Sequence, residues 1–207
     1  MADPVLHVIA GPNGAGKSTL YEKVIGPATH LSFVNPDVVA LERWPEDAAA
    51  RAYEAAALAT ERRSELLVAR ASFVAETVFS HPSKLDFVSD AAARGYLVTL
   101  HVVLVPEKLA VARVLSRVAA GGHTVPEDKV RKRYRRLWPL VASAIGLVES
   151  AVVYDNSRAG RPFRVVAQFE RGRATKKPAW PRWTPEPLRL AGETVKNRAR
   201  GRRSSPE

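Results

Sequence analysis

The sequence predicts an α/β protein of three layers, a central parallel sheet flanked by helices. Three observations predict it. Short β-branched or apolar runs alternate with amphipathic or Ala-rich stretches along the first 169 residues. Such alternation is the signature of parallel strands joined by helical crossovers. The run Tyr96–Val105 is nearly all β-branched or apolar, as expected of a strand buried on both faces. The first apolar run breaks into a Gly-rich loop and then a helical segment, a strand–loop–helix order that α/β proteins use to hold phosphate.

Taken in order, Val5–Ala10 is a buried strand, Gly11–Gly16 a loop, and Lys17–Ile25 a helix that Gly26-Pro27 should stop. Leu31–Val34 is a second strand, ending at Asn35-Pro36-Asp37. Glu46 to about Arg70 is Ala-rich with acids at its start, which predicts one long helix. Ser72–Ala75 is a third strand, followed by Glu76-Thr77. Pro82 opens a helix with Leu85, Val88 and Ala92 on one face, closed by Gly95. Tyr96–Val105 is the fourth strand, and Pro106 starts a helix to about Ala120. Gly121-Gly122 is a hinge-like break. "TVPE" reads as a capping box in which Thr124 and Glu127 satisfy each other's amides, opening a helix to about Glu149. Ala151–Tyr154 and Phe163–Phe169 complete the strands.

Beyond residue 169 the pattern dissolves. Residues 170–207 hold 11 Lys/Arg against 4 Asp/Glu, so this segment carries +7 of the chain's net +11. The expected organisation is a domain over 1–169 and a basic, flexible tail over 170–207. The tail interleaves Trp180 and Trp183 with its basic residues, a composition suited to nucleic acid or an acidic partner and equally to a solubilising end. No cysteine is present, which excludes a disulfide framework and Cys-ligated metal. No apolar run approaches a membrane span or a signal-peptide core, so a soluble, cytoplasmic protein without a membrane partner is expected.

The loop carries the chemistry. Gly11, Pro12, Asn13, Gly14, Ala15, Gly16, Lys17 and Ser18 fit G-x-x-x-x-G-K-[ST], the P-loop pattern, with Thr19 as a second hydroxyl. Glycines let main-chain amides approach phosphate oxygens without a Cβ in the way. Lys17 is placed for the β- and γ-phosphates of ATP or GTP, and Ser18 for Mg2+. Transporter-type ATPases share this spelling, but their "LSGGQ"-like signature and Asp-Glu strand end are absent.

In an open α/β sheet, ligands lie beyond the carboxyl ends of the strands. Asp37, just past the second strand, therefore shares a rim with the loop. It is suited either to accept the proton of an attacking hydroxyl or to cap the following segment. Glu76 and Thr77, ending the third strand, face the same rim and are suited to contact the acceptor or the waters of Mg2+. Arg113 and Arg117 share a helix face, and Arg131, Lys132, Arg133, Arg135 and Arg136 follow across the Gly-Gly break. A helix–Gly-Gly–helix unit with arginines resembles a lid that carries guanidinium groups to a transferring phosphoryl.

The pieces "GPNGAGKST", "FVNPD", "SFVAET", "GYLVTLHVV", "RVAAGGHTVPEDKVRKRY" and "VVYDNS", in that order over about residues 5–157, resemble the zeta toxin family of P-loop kinases. The resemblance implies phosphorylation of a hydroxyl of UDP-N-acetylglucosamine by ATP or GTP, and a separately encoded antitoxin. It implies that Lys17 and Ser18 hold nucleotide and Mg2+, that Asp37 is the catalytic carboxylate, and that Glu76 and Thr77 contact the sugar nucleotide. It also implies that Arg117 and Arg131 stand at the triphosphate, with Arg133 as the alternative to Arg131. The rival function is a nucleotide-dependent RNA- or DNA-binding protein, or a nucleic-acid kinase, using the basic tail.

Overall fold

The computed structural model describes residues 3–119 and 125–191. The elements run β1 (Val5–Ala10), α1 (Lys17–Leu20), a π-helical turn (Tyr21–Ile25), α2 (Gly26–Thr29), β2 (Ser32–Val34), α3 (Pro36–Arg43), α4 (Ala52–Val68), β3 (Phe73–Thr77) and α5 (Ser83–Ala93). Then follow β4 (Leu97–Leu104), α6 (Glu107–Ala119), α7 (Glu127–Ile145), β5 (Ser150–Asp155), β6 (Arg164–Glu170) and β7 (Arg173–Ala174). The seven strands form one sheet of order β2-β3-β1-β4-β5-β6-β7.

The first five strands are parallel, as the alternation predicts. The sheet as a whole is mixed, because β6 and β7 pair antiparallel. The chain after β5 returns through a short loop, too short for the helical crossover that a parallel strand needs. β1 lies between β3 and β4, while the next strand in sequence, β2, lies two places away at the edge. Strand order therefore switches at β1, and a crevice opens beyond its carboxyl end.

The register divides the sheet into two faces. Leu6, Val8, Phe73, Val98, Leu100, Ala151 and Val153 line one face, and all are at most 1% exposed. α5 and α7 pack against β4 on the way between strands. The opposite face carries a polar row through the core. His7 Nδ1 meets His101 Nε2 at 2.9 Å, and His101 Nδ1 meets the Tyr154 hydroxyl at 3.2 Å. Burial, with His7 close by, pushes the His101 imidazole down to about 3. It is therefore held neutral, and its two nitrogens serve as one donor and one acceptor.

Several expectations are corrected. Gly26-Pro27 does not stop the first helix, which continues to Thr29 and ends at His30 in the left-handed region (φ 55°). Pro27 sits in the first turn of α2, where its missing N–H costs nothing, and the π-helical turn before it shifts the hydrogen-bond register. The helix expected from Glu46 starts at Ala52, after tight turns at Asp47 and Ala50. α7 begins at Glu127, after Pro126. Thr124, the Gly121-Gly122 break and His123 lie outside the described residues.

The boundary expected after residue 169 does not end the packed chain. The amide of Ala179 donates to the Val166 carbonyl at 2.7 Å and that of Thr175 to the Gln168 carbonyl at 2.9 Å. Trp180 lies tilted beside Phe169 with ring centroids 6.5 Å apart, Trp183 also packs against the core, and Leu188, in a helical turn over 186–191, is fully buried. Three large apolar side chains offset the cost of ordering a Pro- and Lys-rich segment. The basic run beyond residue 191 lies outside the described residues. Among the described residues no helix is long and apolar enough to cross a membrane.

Candidate active site

The loop between β1 and α1 is a close-packed main-chain cradle. Gly14 (φ 74°) and Gly16 (φ 90°) are both in the left-handed region that other residues avoid. A Cβ on Gly14 would meet the Ala110 carbonyl at 2.6 Å, and one on Gly16 would meet the Asn156 amide at 2.6 Å. Gly16 is also the residue preceding α1, so the first amides of that helix open toward the crevice. Asn156, just past β5, donates from Nδ2 to the Ala15 carbonyl at 2.8 Å and fixes the loop from below.

Glu76 is the centre of the site. It ends β3, opposite Ile9 of β1, and is 8% exposed. Its Oε2 accepts from Ser18 Oγ at 2.9 Å and from Asn35 Nδ2 at 2.7 Å, and its Oε1 lies 3.5 Å from Lys17 Nζ. Lys17, 7% exposed, also donates to the Pro12 carbonyl at 3.2 Å. One buried carboxylate thus binds both functional side chains of the loop and ties them to the end of β2. Charge-assisted bonds of this kind justify the burial of the ammonium group.

Asn35 links this hub to Asp37. It caps α3, accepting at Oδ1 from the Asp37 amide at 2.7 Å while its Nδ2 serves Glu76. The capping role that the sequence left open for Asp37 therefore belongs to Asn35. The Asp37 side chain is left exposed in the first turn of α3, on the rim beside Glu76. Thr77 is half-buried, and its Oγ1 accepts from the Phe79 amide at 3.1 Å, fixing a turn in which Phe79 has φ 61°.

The arginines divide. Arg113 donates to the Gly14 carbonyl at 3.4 Å and to the Asn156 carbonyl at 3.0 Å, which seats α6 against the loop. Arg117 is exposed one turn further along the same helix face. Arg131 is held at Glu127 Oε1 (2.7 Å) and Glu107 Oε1 (3.4 Å), an ion-pair set between α6 and α7 rather than a contact with the loop. Arg133 is exposed on α7.

A cavity of about 560 Å3 adjoins the loop, lined by Gly16, Thr19, Val24, Arg113, Pro162 and Phe163 among others. Its far wall is pinned by Asp155, which accepts from Arg164 at 3.0 Å and from the Ser157 amide at 2.9 Å. Burial raises the Asp155 carboxyl, but the hydrogen bonds from Ser157 and Arg164 outweigh it and hold the group below its ordinary value. A lining that includes Arg113, Pro162 and Phe163 suits a flat aromatic ring. Sequence reasoning missed this wall and the tethers Asn35 and Asn156. The two Asn residues stand in "FVNPD" and "VVYDNS", each at a strand end. Nothing in either motif says which atoms they bridge.

Among the described residues no cluster of three His, Cys, Asp or Glu side chains could enclose a metal. The Ser18 hydroxyl and Glu76 carboxylate together are an oxygen pair that fits Mg2+ bound largely through phosphates and waters.

A P-loop ending a central strand, a buried acid on the neighbouring strand and an exposed carboxylate on the adjacent helix define a kinase of the P-loop class. The profile of the zeta toxin family matches residues 1–159, and the chain belongs to that family. Solved structures are similar in fold. A putative kinase from Chloroflexus aurantiacus matches with TM-score 0.60 at 16% identity, over 77% of this chain and 92% of that one. The PezAT chromosomal toxin–antitoxin system of Streptococcus pneumoniae matches with TM-score 0.59 at 14% identity, over 80% and 72%. AvrRxo1-ORF1:AvrRxo1-ORF2 matches with TM-score 0.64 at 19% identity, over 91% of this chain and 62% of that one. No curated protein matches the sequence.

Proposed function

We propose that the protein transfers the γ-phosphoryl group of ATP to a hydroxyl of a small acceptor, a nucleotide sugar such as UDP-N-acetylglucosamine. In this reading it is the toxin of a toxin–antitoxin pair. The observation that carries it is the Lys17–Glu76–Ser18 hub, with Asn35 joining it to an exposed Asp37. Phosphoryl transfer asks the protein mainly for positioning and charge. The loop amides and Lys17 bind the triphosphate, and the cavity between Arg113 and Phe163 takes the base. Ser18 and Glu76 would hold Mg2+, which supplies neutralisation of the triphosphate charge. Asp37 accepts the acceptor's hydroxyl proton, and Arg117 approaches the transferring group from α6. Glu76 acts on the nucleotide side of the site rather than on the sugar. Arg131 acts through Glu107 and Glu127, positioning α6 against α7.

The neighbours support this assignment by their own descriptions: AvrRxo1-ORF1:ORF2 was solved with ATP, and PezAT is a toxin–antitoxin system. The test is incubation with γ-labelled ATP, Mg2+ and a panel of nucleotide sugars and oligonucleotides. Label on a nucleotide-sugar hydroxyl is expected. Label on oligonucleotides alone, or release as free phosphate alone, would overturn the reading.

A further inference from the structure

α4 and α5 hold two cations that have no acidic partner among the described residues. Arg63, on α4, is 6% exposed. Its guanidinium makes one hydrogen bond among the described residues, from Nη2 to Thr60 Oγ1 at 2.7 Å, and lies 5.6 Å from the centroid of the Phe87 ring. Among the described residues no carboxylate pairs with it, although Arg62 beside it pairs with Glu65 at the surface. Phe87 stands one turn from Lys84 on α5, so the two share a helix face, and the Arg63 charge over Phe87 is near enough to act on Lys84. Lys84 is half-buried and likewise has no acidic partner among the described residues.

Burial lowers the pKa of both groups, and for Lys84 the Arg63 charge adds to the effect. Burying like charges side by side is unfavourable on folding. Residues kept in that arrangement are candidates for function rather than stability. No Arg63 nitrogen is both fully buried and without a partner. Lys84 stands in the first turn of α5, which starts six residues after β3 ends at Thr77 and so opens on the rim that carries Asp37. The connecting turn is fixed by Thr77 and by the fully buried Phe79.

We propose that Arg63 and Lys84 form an anion subsite for the acceptor, taking a phosphate or diphosphate group of the molecule whose hydroxyl faces Asp37. A planar fork and a point charge converging on one spot match a group of two negative charges. A single carboxylate would leave one cation uncompensated. The proposal rests on the phosphotransferase reading only for what the anion is attached to.

The test separates the two. With the loop saturated by Mg2+ and the imido analogue of ATP, inorganic pyrophosphate is titrated into the protein by calorimetry, with N-acetylglucosamine and gluconate as comparison ligands. The wild type should bind one pyrophosphate beside the nucleotide and bind the comparison ligands at least ten-fold more weakly. Lys84→Met should weaken pyrophosphate at least ten-fold, Arg63→Met should abolish its binding, and Lys84→Arg should restore it within about three-fold, all with unchanged analogue affinity. Without ligand, Lys84→Met should raise the Tm by about 2 °C, because a like-charge contact is removed. A merely structural Lys84 would not give that rise. No second anion on the wild type, equal affinity in a folded Lys84→Met, or tighter binding of gluconate than of pyrophosphate would each overturn the subsite. If pyrophosphate binds as expected but labelled ATP phosphorylates nothing in the panel, the subsite stands and the transfer reading fails.

Discussion

On the β4–β5 side of the phosphate loop, polar groups are answered within the chain. Asn156 holds Ala15, Arg113 holds Gly14 and Asn156, and Arg164 holds Asp155. On the β2–β3 side the hub at Glu76 is equally closed, but outside it the charges are left open. Asp37 has an exposed carboxylate, and Arg63 and Lys84 have no acidic partner among the described residues. The contrast follows from chemistry. Triphosphate binding asks for fixed amides, so the nucleotide flank is built rigid by internal bonds. Acceptor recognition asks for charges not already neutralised, so the other flank keeps them at some cost to stability.

Three perturbations test this contrast. Asp37→Ala should lower the transfer rate by about 10^2 to 10^4 while leaving nucleotide affinity intact. Labelled-ATP turnover and calorimetry with the imido analogue measure the two separately, and joint loss would move Asp37 to the nucleotide flank. Glu76→Gln should cost about 3 kcal/mol in urea unfolding, because it leaves Lys17 buried without its counter-charge, and should also weaken the nucleotide. Retained stability would show that the hub is not the brace of the loop. Asn156→Ala should cost about 2 kcal/mol by freeing the Ala15 carbonyl and loosening the loop from β5, with nucleotide affinity reduced and pyrophosphate affinity at the other flank unchanged.

The smallest effect concerns pH and leaves both flanks alone. The His101 imidazole is depressed in the fold to about 3, so its stabilising contribution is complete above the unfolded value of 6.5 and is lost as pH falls toward 3. Between pH 6.5 and 5 the loss approaches about 1.4 kcal/mol per pH unit. His101→Gln should flatten that slope in urea titrations. An unchanged slope would assign the acid sensitivity to other groups.

Much of the frame is readable in the residues themselves. Six strands stand where their β-branched or apolar runs predict, most plainly β4, whose residues are buried on both faces and so have little compositional freedom. The loop is readable because close phosphate approach tolerates so few residues. The misreadings have physical causes as well. The Gly26-Pro27 signal stops a helix only if hydrogen-bond register is kept, and a π-helical turn breaks that register. The tail's composition marked it as flexible, but Trp180, Trp183 and Leu188 found a hydrophobic surface that composition does not reveal.

By itself, then, the sequence determined the strand order along the chain, the phosphate cradle, the presence of an acid at the end of β3 and the family. Those depend on local rules of periodicity, turn chemistry and glycine tolerance. Only the tertiary structure decided that Glu76 faces Ser18 and Lys17, that Asn35 rather than Asp37 caps α3, that Arg131 is committed to Glu107 and Glu127, and that the Arg63 charge is near enough to act on Lys84. The Asn35 cap and the Arg131–Glu127 pair are local, but the other contacts join segments tens of residues apart. They are fixed by sheet register and helix packing, which no local pattern encodes.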